Sequence, residues 1–226
     1  MRPITNSTGS DQQEAIYQRR FAGAAERRAA VWATLARHYF SRWIRPQDTV
    51  LDLGAGFCEF INHIAAARKL ALDSNPATSA KAASDVTVLC EPATGTWPIP
   101  AANVHVVFSS NFFEHLASKP ELLHCLREAY RVLRPGGLLI ALGPNIRFCA
   151  DTYWDFIDHC LPLSDRSLAE ALEVTGFRLE QAIPRFLPFT MSGRISLRPL
   201  FVRWYLRLGL AQRLWGKQFL IVARKP

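Results

Sequence analysis

Residues 50–60 read Val50-Leu51-Asp52-Leu53-Gly54-Ala55-Gly56-Phe57-Cys58-Glu59-Phe60. An apolar run of β character that breaks at Gly-x-Gly and continues with helix-like spacing is how a doubly wound α/β domain opens a nucleotide site. The same two glycines also fit a tight strand-to-helix turn that holds no ligand, so the surrounding residues have to decide.

A dinucleotide fingerprint places a third small residue three positions after the second glycine, which lets a helix approach the strand and turn its N-terminus to a pyrophosphate. That position is Glu59. A carboxylate beside a diphosphate is repelled, so NAD and FAD are disfavoured by charge as well as shape. The Gly-Lys-Ser/Thr of a P-loop is absent. What the sequence keeps is a ribose reader: Arg68-Lys69-Leu70-Ala71-Leu72-Asp73 is a strand ending in an acid 19 residues after Gly54, where a carboxylate can accept from both ribose hydroxyls. The other reading of Asp73 is an N-cap of the following helix. A nucleoside without a phosphate points to S-adenosylmethionine, whose sulfonium and amino group suit a site carrying Asp52 and Glu59.

Outward from this turn, strands and helices alternate. Strands are expected at 49–53, 69–72, 86–89, 104–109 and 138–142, the last after the Pro135-Gly136-Gly137 turn. Helices are expected at 58–67, 76–83 and 120–133. A further helix at 164–175 has Ser164 as its cap and Gly176 as its stop, and last strands fit 177–183 and 218–223. Short apolar runs of this kind suit a parallel sheet covered on both faces. Before the core, residues 11–43 form a helical pattern with Ile16, Tyr17, Phe21, Ala24, Val31, Leu35, Tyr39 and Trp43 near one face. Such a helix packs on the core or folds over a cofactor mouth.

The segments 50–60, 70–73 and 104–116, together with Leu126-Arg127-Glu128-Ala129-Tyr130-Arg131-Val132-Leu133-Arg134-Pro135-Gly136-Gly137, resemble a class I S-adenosylmethionine-dependent methyltransferase over residues 48–142. The resemblance implies a doubly wound, Rossmann-like α/β fold with a seven-stranded, mostly parallel sheet, whose last, antiparallel strand would be 218–223. It implies one domain over 1–226: an N-terminal helical cap (1–45), a cofactor-binding core (46–185), and a basic helical insertion with the last strand (186–226). It places Asp52, Gly54 and Gly56 around the amino-acid part of S-adenosylmethionine and Asp73 on its ribose, with Ser74 and Asn111 as further cofactor candidates. Two positions depart from the pattern. The acid that meets adenine in many relatives has only Glu91 as a candidate here, and His105 stands where an Asp often precedes the fourth strand.

Methyl transfer from sulfonium is an in-line displacement that mainly needs alignment. A hydroxyl acceptor also needs a proton acceptor. Ser109-Ser110-Asn111-Phe112-Phe113-Glu114-His115-Leu116 lies just past the fourth strand, at the carboxyl edge where such sheets bind ligands. His115, with Glu114 beside it, is the candidate base, and the alternative is that the pair only caps and orients the loop. The Asn-Pro-Pro-Tyr motif of nucleobase amino methylation is missing.

After the fifth strand, Asp151, Asp155, Asp158 and His159 could line an acceptor pocket, with Tyr153 and Trp154 as flat faces for a sugar. Their spacing fits no particular metal, and no metal is expected. The segment is similar to one in methyltransferases of bacterial polysaccharide clusters, which implies a glycan acceptor. Further on, Phe201, Trp204, Tyr205 and Leu208 form a stripe with Arg203 and Arg207 off it, a basic amphipathic helix that packs on the core or touches an anionic membrane through 199–208.

The net charge of +8 is concentrated at the two ends: residues 181–226 hold nine Lys/Arg and no acid, whereas 46–180 hold ten against sixteen. Five scattered cysteines without a Cys-x-x-Cys pair read as free thiols. The first residues lack the apolar core of a signal peptide, and no apolar run is long enough for a bilayer, so a cytoplasmic location is expected. The expected activity is methyl transfer to an oxygen of a glycan or other small acceptor. A nucleic-acid-directed methyltransferase, for which the basic ends argue, and a non-catalytic cofactor-binding protein are the alternatives.

Overall fold

The structure is a computed structural model that describes residues 25–188 and 199–226. The parts of the expected helices that fall on 11–24 and 189–198 lie outside the described residues. Seven strands form one sheet in the order β3-β2-β1-β4-β5-β7-β6. They are β1 (Thr49–Leu53), β2 (Arg68–Leu72), β3 (Val86–Leu89), β4 (Val104–Ser110), β5 (Leu133–Pro144), β6 (Arg178–Ile183) and β7 (Gln218–Arg224). Strands β3, β2, β1, β4 and β5 run parallel, and β7 runs antiparallel to both β5 and β6. The chain winds outward from β1 in one direction and returns to β4 on its other side, so a crevice opens between their carboxyl ends.

Each face of the sheet carries its own apolar core. One face is covered by α2 (Lys119–Val132) and α4 (Asp165–Val174), which bury Leu122, Leu126, Leu168 and Leu172 against Leu51, Leu53, Val107 and Leu139. The other is covered by α1 (Ala25–His38), which buries Val31, Trp32 and Leu35 against Val50, Phe108 and Ile140. Phe60 stacks on Phe108 at 3.6 Å between ring centroids. The α2 signature has a structural explanation. Glu128 accepts from the Trp97 amide, while Arg131 pairs with Glu128 and donates to the Trp97 and Ile99 carbonyls, so that one ion pair holds the loop under the fully buried Trp97.

The helix expected at 58–67 does not form; the segment is a series of turns. Cys58 sits at φ +57°, a left-handed position that cannot enter an α-helix. Asn62 then spends its side chain on the Lys81 carbonyl and the Ala83 amide. The 76–83 helix is a short 3-10 turn over Pro76–Ala80, capped by Asn75, whose side chain accepts from the Ala77 amide. The Pro-Gly-Gly turn is absorbed into β5 as a bulge, because Val104 pairs with Leu133 and Val106 already with Leu138. His105 also has a structural task. Its Nδ1 accepts from the Thr49 amide at 3.0 Å and Asp48 lies behind the ring, so it pins the start of β1.

Helix α3 (Ile146–Tyr153) follows β5, and helices α5 (Pro199–Arg207) and α6 (Gly209–Trp215) precede β7, whose first residues pair with the carboxyl end of β5. The face of α5 that packs is rotated from the expected stripe. Val202 is buried, Tyr205 and Leu206 are half-buried, and Tyr205 donates to the Phe186 carbonyl, whereas Phe201 is 59% and Trp204 64% exposed. Among the described residues no helix is long and apolar enough to cross a membrane.

Candidate active site

The loops after β1, β2, β3 and β4 meet at one edge of the sheet. Gly54 (φ +69°) and Gly56 (φ +50°) hold the turn after β1 in the left-handed region that glycine enters without strain. Gly54 packs against Phe112, leaving no room for a side chain, while the Cβ direction of Gly56 points into open space. The β1 loop is thus closed on its protein side and open on the other.

Asp73, at the end of β2, clamps this turn. One carboxylate oxygen accepts from the Gly56 amide and the other from the Asn75 amide, both at 2.8 Å. The helix cap that Asp73 was expected to provide as an alternative is supplied by Asn75 instead. Each oxygen of Asp73 still has a second lone pair for a ligand hydroxyl. Asp52, fully within β1, is driven up to about 8 by burial first and then by the nearby Asp73 charge, against a lowering backbone hydrogen bond from Ile61. Two carboxyl groups that resist sharing negative charge fit a cationic ligand and oppose a diphosphate.

Glu59 corrects part of the expectation. Arg28 of α1 donates to it at 2.6 Å, so its charge is met by the protein and is not left for a sulfonium. Burial raises the Glu59 carboxyl and Arg28 opposes that rise. The link ties α1 to the loop after β1, since Arg28 also lies over the Phe57 ring. Ser74 is exposed, and its carbonyl faces the Cys90 thiol. Glu91 is exposed just beyond β3. Asn111 takes a positive φ of 50° and its amide donates to the Leu142 carbonyl, which turns the β4 loop back toward Gly54.

Glu114 and His115 lie in a 3-10 turn, Phe113–His115, directly after this bend. The Glu114 side chain is buried, with Oε2 beside Gly143 of β5. The structure brings this pair together with Asp158 and His159 of the later loop: His115 Nδ1 donates to the Asp158 carbonyl at 2.8 Å, and the His115 and His159 ring centroids are 5.2 Å apart. Asp151 and Asp155 are not part of this group; both are exposed, and Asp151 faces Lys217. Tyr153 is no sugar platform either, being buried with its hydroxyl on the Leu161 carbonyl, whereas Trp154 (60% exposed) presents an open face. The sequence separation of 43 between His115 and Asp158 hides this convergence from any local reading.

Residues 51–141 match the family model described as "Methyltransferase domain". A Mycolicibacterium smegmatis protein described as a probable S-adenosylmethionine-dependent methyltransferase is 36% identical over 92 residues, 39% of this chain. The match spans about a third of that relative's length (34%). Among solved structures, a S-adenosylmethionine-dependent methyltransferase from Archaeoglobus fulgidus superposes with a TM-score of 0.67 at 19% identity, over 94% of this chain and 99% of that one. A Haloferax volcanii candidate methyltransferase, solved in complex with the Trm112 methyltransferase activator, gives 0.64 at 18% identity over 98% and 100%. The [4+2]-cyclase SpnF shares the fold at 0.59 and 18% identity, over 82% and 78%. One architecture thus serves more than one reaction. The fold is the one these solved structures share, and residues 51–141 are similar in sequence to a methyltransferase domain.

Proposed function

We propose that this chain transfers a methyl group from S-adenosylmethionine to an oxygen of a glycan or other small acceptor. The observation that carries the proposal is the pairing of Asp52 and Asp73 around an open glycine turn, a site that attracts a cation and a ribose. When bound, S-adenosylmethionine supplies a methyl carbon on a positively charged sulfur, which leaves with the electron pair of the broken bond. In this reading Asp52 faces the cationic methionine end, Gly54 and Gly56 let the backbone approach it, Asp73 holds the ribose, and Ser74, Glu91 and Asn111 line the rest. In the same reading Glu114 and His115 receive the proton that an acceptor hydroxyl has to lose. His115 Nδ1 is committed to a carbonyl, so Nε2 keeps the lone pair that faces such a task.

The exposed face of Trp154 supports a sugar-like acceptor. The test is methyl transfer from labelled cofactor into a bacterial glycan fraction. His115→Ala is expected to lower kcat by about 10²–10⁴-fold with cofactor affinity unchanged. Unchanged turnover in the variant would remove His115 from the reaction.

The same proposal includes a partner surface. Phe201, Trp204, Leu210, Leu214 and Trp215 are largely exposed on α5 and α6, alongside the exposed Arg203, Arg207 and Arg213. Apolar anchors among arginines, in a stretch with no acid from 181 to 226, favour an anionic bilayer, where a lipid-linked glycan would lie. Trp204→Ser with Trp215→Ser is expected to weaken co-sedimentation with phosphatidylglycerol vesicles at least tenfold. Salt-sensitive retention on RNA with no vesicle binding would favour the nucleic-acid alternative instead.

A further inference from the structure

Beyond the end of β4, two pieces of chain far apart in sequence are laced together. The Glu114 carbonyl accepts from the Cys160 amide at 2.8 Å and the Leu161 amide at 3.0 Å. His115 Nδ1 donates to the Asp158 carbonyl, and the Tyr153 hydroxyl donates to the Leu161 carbonyl at 2.7 Å. These contacts bring one donor atom each of Glu114, His115 and His159 within 4.8 Å of one another, with Glu114 and His159 buried and His115 half-buried. The His159 ring is held in turn, stacked on Phe156 at 5.0 Å and tilted against Tyr153 at 4.5 Å.

The chemistry of the set is specific. A carbonyl oxygen only accepts, so His115 carries its hydrogen on Nδ1 and keeps a lone pair on Nε2. That is the arrangement of a metal-ligating histidine, whose second ring nitrogen donates to a carbonyl or carboxylate that fixes its orientation. The Asp158 carboxylate stands 3.5 Å from the same nitrogen. Two imidazoles and one carboxylate suit a borderline divalent transition cation, whereas magnesium and calcium prefer oxygen ligands alone.

We propose that Glu114, His115 and His159 form a three-ligand site for a divalent transition cation of the zinc type, which leaves the fourth position of a tetrahedral ion for a further ligand. With metal–ligand distances of about 2.0–2.1 Å, donors around zinc stand about 3.4 Å apart, so each donor moves inward by less than about 1 Å. The binding claim stands on these contacts alone; only its consequence rests on the methyl-transfer reading. With His115 Nε2 on the cation, the cation replaces the histidine as the group that activates the acceptor: a hydroxyl bound to it gives its proton up to water more readily, and the cation carries the resulting negative charge.

Equilibrium dialysis of the chelator-stripped full chain against zinc tests the site, with cobalt titration followed by its visible ligand-field spectrum as a second readout. The expected result is a single zinc per chain, affinity at least tenfold lower in His159→Gln, no change in Cys160→Ser, and a cobalt spectrum in the unaltered chain that His115→Gln removes. The proposal is overturned if the unaltered chain retains no zinc and shows no cobalt spectrum. It is equally overturned if a folded His159→Gln binds zinc as before, or if Cys160→Ser is the variant that loses it. Calorimetry with S-adenosylhomocysteine on the same stripped protein separates the two readings, because cofactor binding without zinc binding sinks the cation site alone.

Discussion

Gly54→Ala is expected to abolish cofactor binding and to destabilise the fold by about 2–4 kcal/mol. Two costs coincide at this residue. A Cβ at Gly54 would overlap the Phe112 ring and stand 2.7 Å from the Phe112 Cβ, so the β4 loop itself has to move. The φ of +69° also places an L residue in a region that costs about 1–2 kcal/mol. The displaced loop carries Asn111, Glu114 and His115, so the damage reaches both ends of the site. Gly56→Ala is the informative partner. It has the same φ problem, at +50°, but meets no atom within 4 Å, so its fold penalty stays near 1 kcal/mol. A melting curve for each variant, with S-adenosylhomocysteine titrated into both, checks the pair. Equal stability of the two variants would show that Phe112 does not close this turn.

Asp52→Asn is expected to stabilise the free chain at alkaline pH and to weaken the cofactor. The Asp52 carboxyl rises from an ordinary value of 3.8 to about 8 in the folded chain, through burial and then Asp73. Between those two values the folded chain keeps a proton that the unfolded chain has released, so stability falls as pH rises through that window. The loss is about 2–5 kcal/mol across the window, and the neutral Asn removes it. A cationic ligand reverses the preference by favouring the carboxylate, so cofactor binding near pH 6 releases a proton in the unaltered chain and none in Asp52→Asn. Calorimetry in two buffers of different ionisation heat measures that proton. An affinity loss of about 10–100-fold is expected, equivalent to one charged hydrogen bond. Melting that is equally pH-dependent in the variant would remove Asp52 as the source of the slope.

Most of the sheet was legible because its signals are local. Thr49–Leu53, Arg68–Leu72 and Val86–Leu89 are short apolar runs ended by turn residues, and Ser164 and Gly176 mark the α4 boundaries with side-chain and backbone chemistry that needs no tertiary context. What failed was set by distant partners. Residues 58–67 have helical spacing, yet Cys58 is held left-handed and Asn62 is drawn to the Lys81 and Ala83 backbone. The stripe of α5 differs from the expected one because contact with the core face under α1, and the Tyr205 bond to Phe186, choose Val202 and Leu206 over Phe201 and Trp204.

The site divides in the same way. The glycine turn and Asp73 lie within 20 residues of one another and were readable from spacing. Glu59 was not, since its meaning depends on Arg28, which lies 31 residues upstream on α1. The joining of Glu114 and His115 to His159 depends on hydrogen bonds across the chain that no periodicity encodes.

The central claim is that the turn at Gly54 holds the methionine end of a phosphate-free nucleoside cofactor. Its most direct test is calorimetric titration of the purified chain with S-adenosylhomocysteine and, separately, with NAD. The account predicts saturable binding of the first ligand alone, lost in Asp73→Ala. Saturable binding of NAD, or no heat from S-adenosylhomocysteine in a folded protein, would contradict it.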